Sequence, residues 1–229
     1  NSNMIASAKS ALAMAAPEAM EEISTSRAQR REVVLSDGST ITLDSMTRIL
    51  VSASDEERRV RLVSGRALFD VKHSSLPFIV ESNGGETLNL GTRFVVENTQ
   101  RHTRVSLLEG KITVRAKPSD DPVSILPGET VSYASRGPVS PIGNTRDDPA
   151  DWTRGHLVFD DTRLADAVVT LSRYSKRPIE IADSPKLQNR RVSGLFLIRD
   201  SQNFATVLAD ALDLRVEHTP EGTDKLAPN

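Results

Sequence analysis

Four histidines, His73, His102, His156 and His218, are the chain's most versatile acid, base and metal-binding groups, and they stand far apart. No His-x-x-x-His or His-x-His pair sets two imidazoles on one face of a helix or strand, so no metal site is expected. Cysteine is absent, which removes disulfides, thiolate zinc sites and cysteine nucleophiles together. Glycine-rich phosphate loops of the G-x-G-x-x-G or Walker type are missing, as are the G-x-S-x-G and S-x-x-K nucleophile motifs. Asp120-Asp121 and Asp147-Asp148 lie in turn-forming stretches and read as solvated loop charges rather than an acid–base pair. Arg58-Arg59 and Arg190-Arg191 read as strand-edge charges that discourage edge pairing. The residues therefore point to a binding protein, with no enzyme, no cofactor, no metal and no direct small-molecule ligand expected.

Composition narrows the partner. The 229 residues carry 29 Lys and Arg against 31 Asp and Glu, a formal net charge of −2. No basic excess exists to hold a phosphate backbone, which argues against a nucleic-acid partner. Apolar residues at 38% and charged residues at 26% describe an ordinary globular chain. Aromatics make up only 4%, so Leu, Val, Ile and Ala must build the core. No apolar run is long enough to span a membrane. The nearest approach, Met4 to Ala16, is broken by Ser7, Lys9 and Ser10 and reads as a helix-prone linker or appended sequence.

The elements that must position any binding surface change period once, near residue 150. From 31 to 134 apolar residues alternate, as in Val60, Leu62, Gly65, Ala67, Phe69 and Val71, or Val105, Leu107, Gly110, Ile112 and Val114. Alternation places one residue in two on a single strand face, and glycine between runs supplies turns or bulges. The glycines 38, 65, 91, 110 and 128 recur at intervals of 27, 26, 19 and 18, a quasi-repeat of β units. An all-β domain over 31–134 is expected, solenoid-like, barrel or sandwich. Residues 1–30 are read as an Ala-rich linker or appended segment, 135–150 as a Pro- and Gly-rich linker and 221–229 as a tail.

Residues 151–220 show an internal duplication. Leu164, Val168 and Leu171 form one helical stripe, and Phe204, Val207, Leu208, Ala211 and Leu212 another. Asp160 to Thr162 and Asp200-Ser201 are placed to cap them. Each helix follows a short strand, Gly155 to Phe159 or Gly194 to Ile198, and precedes another, Ile179 to Ile181 or Leu214 to Val216. Equivalent positions lie 39 or 40 residues apart, which predicts two β-α-β units in a compact α+β domain. The expected fold class is thus mostly β, with an N-terminal all-β domain and a C-terminal α+β domain.

These stretches are familiar in order. Val34-Leu-Ser-Asp-Gly-Ser39, Arg61-Leu-Val-Ser-Gly-Arg-Ala-Leu-Phe-Asp-Val71, Pro77-Phe-Ile-Val-Glu81, Leu90-Gly-Thr-Arg-Phe-Val-Val96, Val105 to Val114 and Leu126-Pro-Gly-Glu129 together resemble FecR-type regulators. Trp152-Thr-Arg-Gly155 and Val192-Ser-Gly-Leu-Phe196 resemble the two repeats of the short secretin and TonB N-terminal (STN) domain that closes such proteins.

The resemblance implies an inner-membrane, single-pass regulator of an extracytoplasmic-function sigma factor. Its periplasmic part would receive a signal from the N-terminal signalling domain of a TonB-dependent outer-membrane transporter, often one importing ferric siderophores. The membrane helix and the cytoplasmic sigma-binding segment of the family pattern are not in this sequence, so it is expected to be the periplasmic sensor portion. The strand Val192 to Ile198 is apolar on both faces. It is therefore either buried on both sides or a docking strand, with Leu195 and Leu197 outward and Arg190, Arg191 and Arg199 at a polar rim. Trp152, the only tryptophan, is expected at the domain junction.

Some members of the family cut themselves within their L-G-T motif, which here is the Gly91–Thr92 bond. The residues single out no base for this step, neither His73 nor His102. A periplasmic secretin-associated structural module remains a further alternative, suggested only by the STN likeness.

Overall fold

Alternating apolar residues become strands whose inner faces meet. The computed structural model describes residues 20–54, 57–99, 102–135, 137–142 and 148–229. The first part contains β1 (Glu21–Ser24), β2 (Arg31–Val34), β3 (Thr40–Leu43), β4 (Arg48–Ala53), β5 (Arg58–Asp70), β6 (Phe78–Ser82) and β7 (Gly85–Asn89). It continues with β8 (Arg93–Asn98), β9 (Thr103–Glu109), β10 (Ile112–Arg115), β11 (Val123–Ile125), β12 (Thr130–Tyr133) and β13 (Ser140–Ile142). All thirteen belong to one sheet, folded over on itself along β5.

β5 is long enough to serve both layers. Its first half pairs with β4 and, in parallel, with β6; its second half pairs with β3 and β8. The first layer runs β1-β4-β5-β6-β7-β10-β11, and the second β2-β3-β5-β8-β9-β12-β13. The strand turns the corner at Gly65, whose φ is +92°. A Cβ there would stand 2.4 Å from Thr47 Oγ1 and 2.6 Å from Thr47 Cα. Of the three closures left open by the sequence, the structure is a sheet curled into two facing layers.

The core lies between those layers. Ile49, Leu62, Phe78, Val80 and Ile112 come from one side, and Ile41, Leu43, Phe69, Phe94 and Leu107 from the other, all almost wholly buried. Phe69 stacks on Phe94 with ring centroids 5.1 Å apart and meets Phe78 of the opposite layer edge-on at 6.1 Å. Arg58 is not an edge charge as expected. It is buried on the central strand, donates to Asp37 Oδ2 at 2.5 Å and to the carbonyls of Leu76 (2.6 Å) and Lys72 (3.2 Å), and lies over the Phe78 ring. It thereby ties the Asp37-Gly38 turn to the crossover between β5 and β6. Burial acts to raise the Asp37 carboxyl, but the Arg58 and Ser39 hydrogen bonds outweigh it and hold it below its ordinary value. Arg59 is likewise occupied, by Glu57, Glu81 and Glu86.

The second part begins with a 3-10 turn, Asp151–Arg154, and β14 (His156–Arg163). Then come α1 (Leu164–Ser172), β15 (Ile179–Ile181), α2 (Pro185–Gln188), β16 (Arg191–Leu197), a 3-10 segment (Ile198–Asn203), α3 (Phe204–Leu212), β17 (Leu214–His218) and β18 (Asp224–Pro228). β14 and β16 form an antiparallel pair, and β15, β18 and β17 a three-stranded sheet in that order. The expected strand–helix–strand order occurs twice, β14-α1-β15 and β16-α3-β17, but the two strands of each triplet lie in different sheets.

Several local expectations are corrected. Asp160 to Thr162 do not cap α1: they form a bulge at the end of β14, and the Leu164 N–H is met by the Arg190 carbonyl at 2.7 Å. Asp200 and Ser201 lie in the 3-10 segment, so α3 starts later, at Phe204. Its buried face is Phe204, Ala205, Leu208 and Ala209, while Val207 and Ala211 face solvent.

Residues 21–24, read as linker, make an edge strand on β4 through the single buried side chain Ile23. Ser140–Ile142, inside the expected 135–150 linker, pairs with β12. The expected tail supplies β18, whose Leu226 is fully buried between β15 and β17. In each case one or two apolar residues suffice because an existing strand supplies the pairing, β4 for β1, β12 for β13, and β15 and β17 for β18. The stretch Met4 to Ala16 and Asp147 lie outside the described residues.

Candidate functional site

Two features stand out for a protein expected to bind and relay: the seam between the two parts, and the outer side of the β14–β16 pair. The seam is both apolar and charged. Leu68 of β5 and Val95 of β8 point out of the sandwich and join the core of the second part, with Trp152, Leu157, Leu164, Leu171 and Tyr174. Trp152 is 1% exposed. The Arg66 guanidinium lies 5.0 Å from its ring centroid, and Arg30 donates to its carbonyl at 2.6 Å.

Arg66 also forms a buried ionic group. Its Nε donates to Asp44 Oδ2 at 2.9 Å, and Asp44 is wholly buried. Tyr174, from the segment after α1, places its hydroxyl 2.7 Å from both carboxylate oxygens and accepts from Arg66 Nη2 at 2.9 Å. Burial works against the Arg66 charge, but Asp44 beside it prevails and raises the guanidinium further. Burial and the neighbouring carboxylate push the Tyr174 phenol above its ordinary value, so it stays protonated and donates. A charge pair in this position must be satisfied on every side, because an unpaired member would be expensive to bury.

On the β14–β16 pair, the strand is not buried on both faces. Phe196 and Ile198 pack inward, Phe196 meeting Phe159 and Phe204 edge-on at 5.5 and 5.7 Å. Leu195 is 58% exposed opposite Val158, and Leu197 is half-buried opposite His156. Among the described residues β16 pairs only with β14, so its outer edge has no strand partner.

The three rim arginines differ. Arg190 donates to the Leu212 carbonyl at 2.5 Å and Arg191 to the Asp161 carbonyl at 2.7 Å. Arg199 is highly exposed, 3.8 Å from Asp200.

The Gly91–Thr92 bond lies between β7 and β8. A Cβ at Gly91 would stand 2.6 Å from His73 Cα, so glycine is required by close packing against the β5–β6 crossover. Thr92 is buried, its Oγ1 has no hydrogen-bond partner, and its carbonyl accepts from Val71 N–H at 2.9 Å. His73 therefore adjoins this bond. His102 closes the turn between β8 and β9, at the opposite end of β8. Among the described residues no group of metal-ligating side chains occurs, and no helix is long and apolar enough to cross a membrane.

The residues missed in sequence are Asp44, Arg66 and Tyr174. They are separated by 22 and 108 positions, and no local pattern links them. The one available signal was Asp44 itself, a charge directly after the apolar strand end at Leu43.

Residues 21–113 match the family model described as FecR protein. No curated protein matches the chain. The fold is similar to two crystal structures of a proposed anti-sigma factor from Parabacteroides distasonis. The 2.50 Å structure is 21% identical with a TM-score of 0.77, covering 92% of this chain and 100% of that one. The 1.65 Å structure is 22% identical with a TM-score of 0.76, covering 91% and 99%. At such identities the likeness shows that both parts of the fold, in this arrangement, recur in another protein.

Proposed function

We propose that this chain is the signal-receiving region of a FecR-type anti-sigma regulator. It acts in the periplasm, binds the N-terminal signalling domain of a TonB-dependent outer-membrane transporter, and relays the ligand-loaded state, often of a ferric siderophore, to an extracytoplasmic-function sigma factor. Sigma contact belongs to a cytoplasmic segment beyond an inner-membrane helix, and no residue here is assigned to it. The second part corresponds to the STN-like domain of that family.

The observation that carries the reading is the match of residues 21–113 to the FecR family, joined to an α+β part with an unpaired strand edge beside the exposed Leu195. Strand edges suit main-chain recognition, and Leu195 and Leu197 supply the apolar contact. Arg199 and the less free Arg190 and Arg191 favour an acidic rim on the partner.

Titration calorimetry of this chain with the transporter's signalling domain is the test. Micromolar or tighter binding is expected, weakened at least tenfold by Leu195→Asp with the circular dichroism unchanged. Binding indifferent to Leu195→Asp and Leu197→Asp discards the surface; absence of binding discards the reading.

A second reading concerns maturation. The partnerless, buried Thr92 Oγ1 favours self-cleavage at Gly91–Thr92. The hydroxyl oxygen bonds to the Gly91 carbonyl carbon, the C–N bond breaks, and the hydroxyl proton passes to the Thr92 nitrogen. Water then hydrolyses the ester to a Gly91 carboxylate and restores the hydroxyl. Intact mass after incubation decides it. Two fragments summing to the chain plus one water, absent in Thr92→Ala, support cleavage, and a single unchanged mass discards it.

A further inference from the structure

We infer that the second part of the chain clamps the first strand, so that parting the two units frees β1 from the sheet edge. β1 is a four-residue strand paired on one side only and buries one apolar side chain, Ile23. A ladder that short contributes little stability by itself. Beyond Ser24 the chain runs along the rim of the seam, with Thr25 buried and Arg27 half-buried.

The Thr25 N–H donates to the Thr47 carbonyl at 2.8 Å, and the Thr25 hydroxyl to the Asp44 carbonyl at 2.5 Å. Two residues on, the chain reaches the C-terminal end of α1. Arg27 donates to the Ser172 carbonyl, the Ala28 N–H donates to the Arg173 carbonyl at 3.1 Å, and the Ser45 hydroxyl donates to that same carbonyl at 2.5 Å. Arg173 answers with a hydrogen bond from Nη2 to the Ser45 carbonyl at 2.8 Å.

The physical reason for this docking is the helix end. The last carbonyls of a helix have no partner within it and carry partial negative charge. Here a cation, an N–H and a hydroxyl from the sandwich supply what α1 lacks, so the helix is capped by the other part of the chain. The capping segment is held in unusual conformations. Ala28 has a φ of +58° and Met46, beside Ser45, a φ of +55°, both left-handed in residues with a Cβ. Such conformations persist only while their surroundings enforce them. Once the α1 end departs, the Ala28 N–H keeps only the Ser45 hydroxyl at 2.9 Å, which has itself lost the Arg173 carbonyl it donates to, and the strain is released into the six residues that join β1 to β2.

Tyr174 stands two residues beyond α1 and binds Asp44, so it holds the helix end in place without touching β1. That makes it the informative substitution. Hydrogen exchange is measured on the whole chain, wild type against Tyr174→Phe and Arg27→Ala. With Tyr174→Phe, the amides of Glu21 and Ile23, which face β4, are expected to exchange at least tenfold faster, while those of Phe94 to Val96 keep wild-type rates. Arg27→Ala, which removes a cap of α1 and leaves the Asp44 group intact, is expected to accelerate the same β1 amides together with those at the α1 end.

Trp152 emission reports whether the seam has opened. A red shift in Tyr174→Phe with β1 still protected overturns the clamp, as does unaltered exchange in both variants. Binding of any partner plays no part in these readouts, so the clamp and the proposed docking function fail separately.

Discussion

Arg66→Ala is expected to destabilise the chain by about 3–5 kcal/mol, the range for removing one member of a buried ion pair. Asp44, wholly buried, would lose its cationic partner and keep the Tyr174 hydroxyl and the Ser45 N–H. The Trp152 ring would lose the guanidinium that covers it. Arg66→Lys is expected to recover only part of this, because a point ammonium cannot bond Asp44 and Tyr174 at once while lying flat over an indole. Asp44→Asn should cost less than Arg66→Ala: an amide is cheaper to bury than a carboxylate, and Arg66, 15% exposed, retains access to water. The double variant Asp44→Asn/Arg66→Ala should then be more stable than Arg66→Ala alone. Urea unfolding followed by far-UV dichroism and Trp152 fluorescence gives all four values. A loss under about 1 kcal/mol for Arg66→Ala, the worth of an ordinary surface pair, would show that the seam does not rest on this group.

How much of this was legible in the residues depends on the reach of each pattern. Val60, Leu62, Ala67, Phe69, Phe94, Val96, Val105, Leu107, Ile112 and Val114 alternate in the sequence and all lie in the sandwich core. The stripe Leu164, Val168 and Leu171 is buried as its spacing requires. Period alone could not say that β5 serves two layers, because alternation reads the same on both sides of Gly65. The segments misread as linker and tail have the opposite problem. Glu21–Ser24 and Asp224–Pro228 hold too few apolar residues to show any period, and their strand character comes from the partners β4, β15 and β17.

The candidate surfaces divide along the same line. The alternation of Leu195, Phe196, Leu197 and Ile198 separates two faces correctly, with Phe196 and Ile198 inward, and the structure settles that Leu195 is open to solvent. Trp152 lies within the seam. The Asp44–Arg66–Tyr174 group was invisible because polar residues carry no periodic signature: their partners are chosen by three-dimensional proximity. The arginines of the expected rim illustrate the converse, since two of the three already donate to main-chain carbonyls.

Gly65→Ala is expected to cost about 2–5 kcal/mol, and its comparison with Gly128→Ala isolates the reason. Both glycines sit at positive φ, +92° and +89°, where a Cβ costs roughly 1–2 kcal/mol. At Gly128 the added methyl meets nothing within 4 Å, so that conformational cost is the whole effect. At Gly65 it would fall 2.6 Å from Thr47 Cα and 2.8 Å from the Met46 carbonyl oxygen, and backbone atoms cannot rotate away as a side chain can. Overpacking of this kind adds about 1–3 kcal/mol.

The neighbours are not incidental. Thr47 accepts the Arg66 N–H on its hydroxyl at 3.1 Å and donates to the Arg66 carbonyl at 3.0 Å, so displacing it disturbs the residue that carries the buried ion pair. Gly65→Ala should therefore weaken the corner of β5 and the seam together. Trp152 fluorescence should report its unfolding at a lower urea concentration than in Gly128→Ala. Equal losses in the two variants would mean that the 44–47 turn can move aside, and that Gly65 is required for its conformation alone.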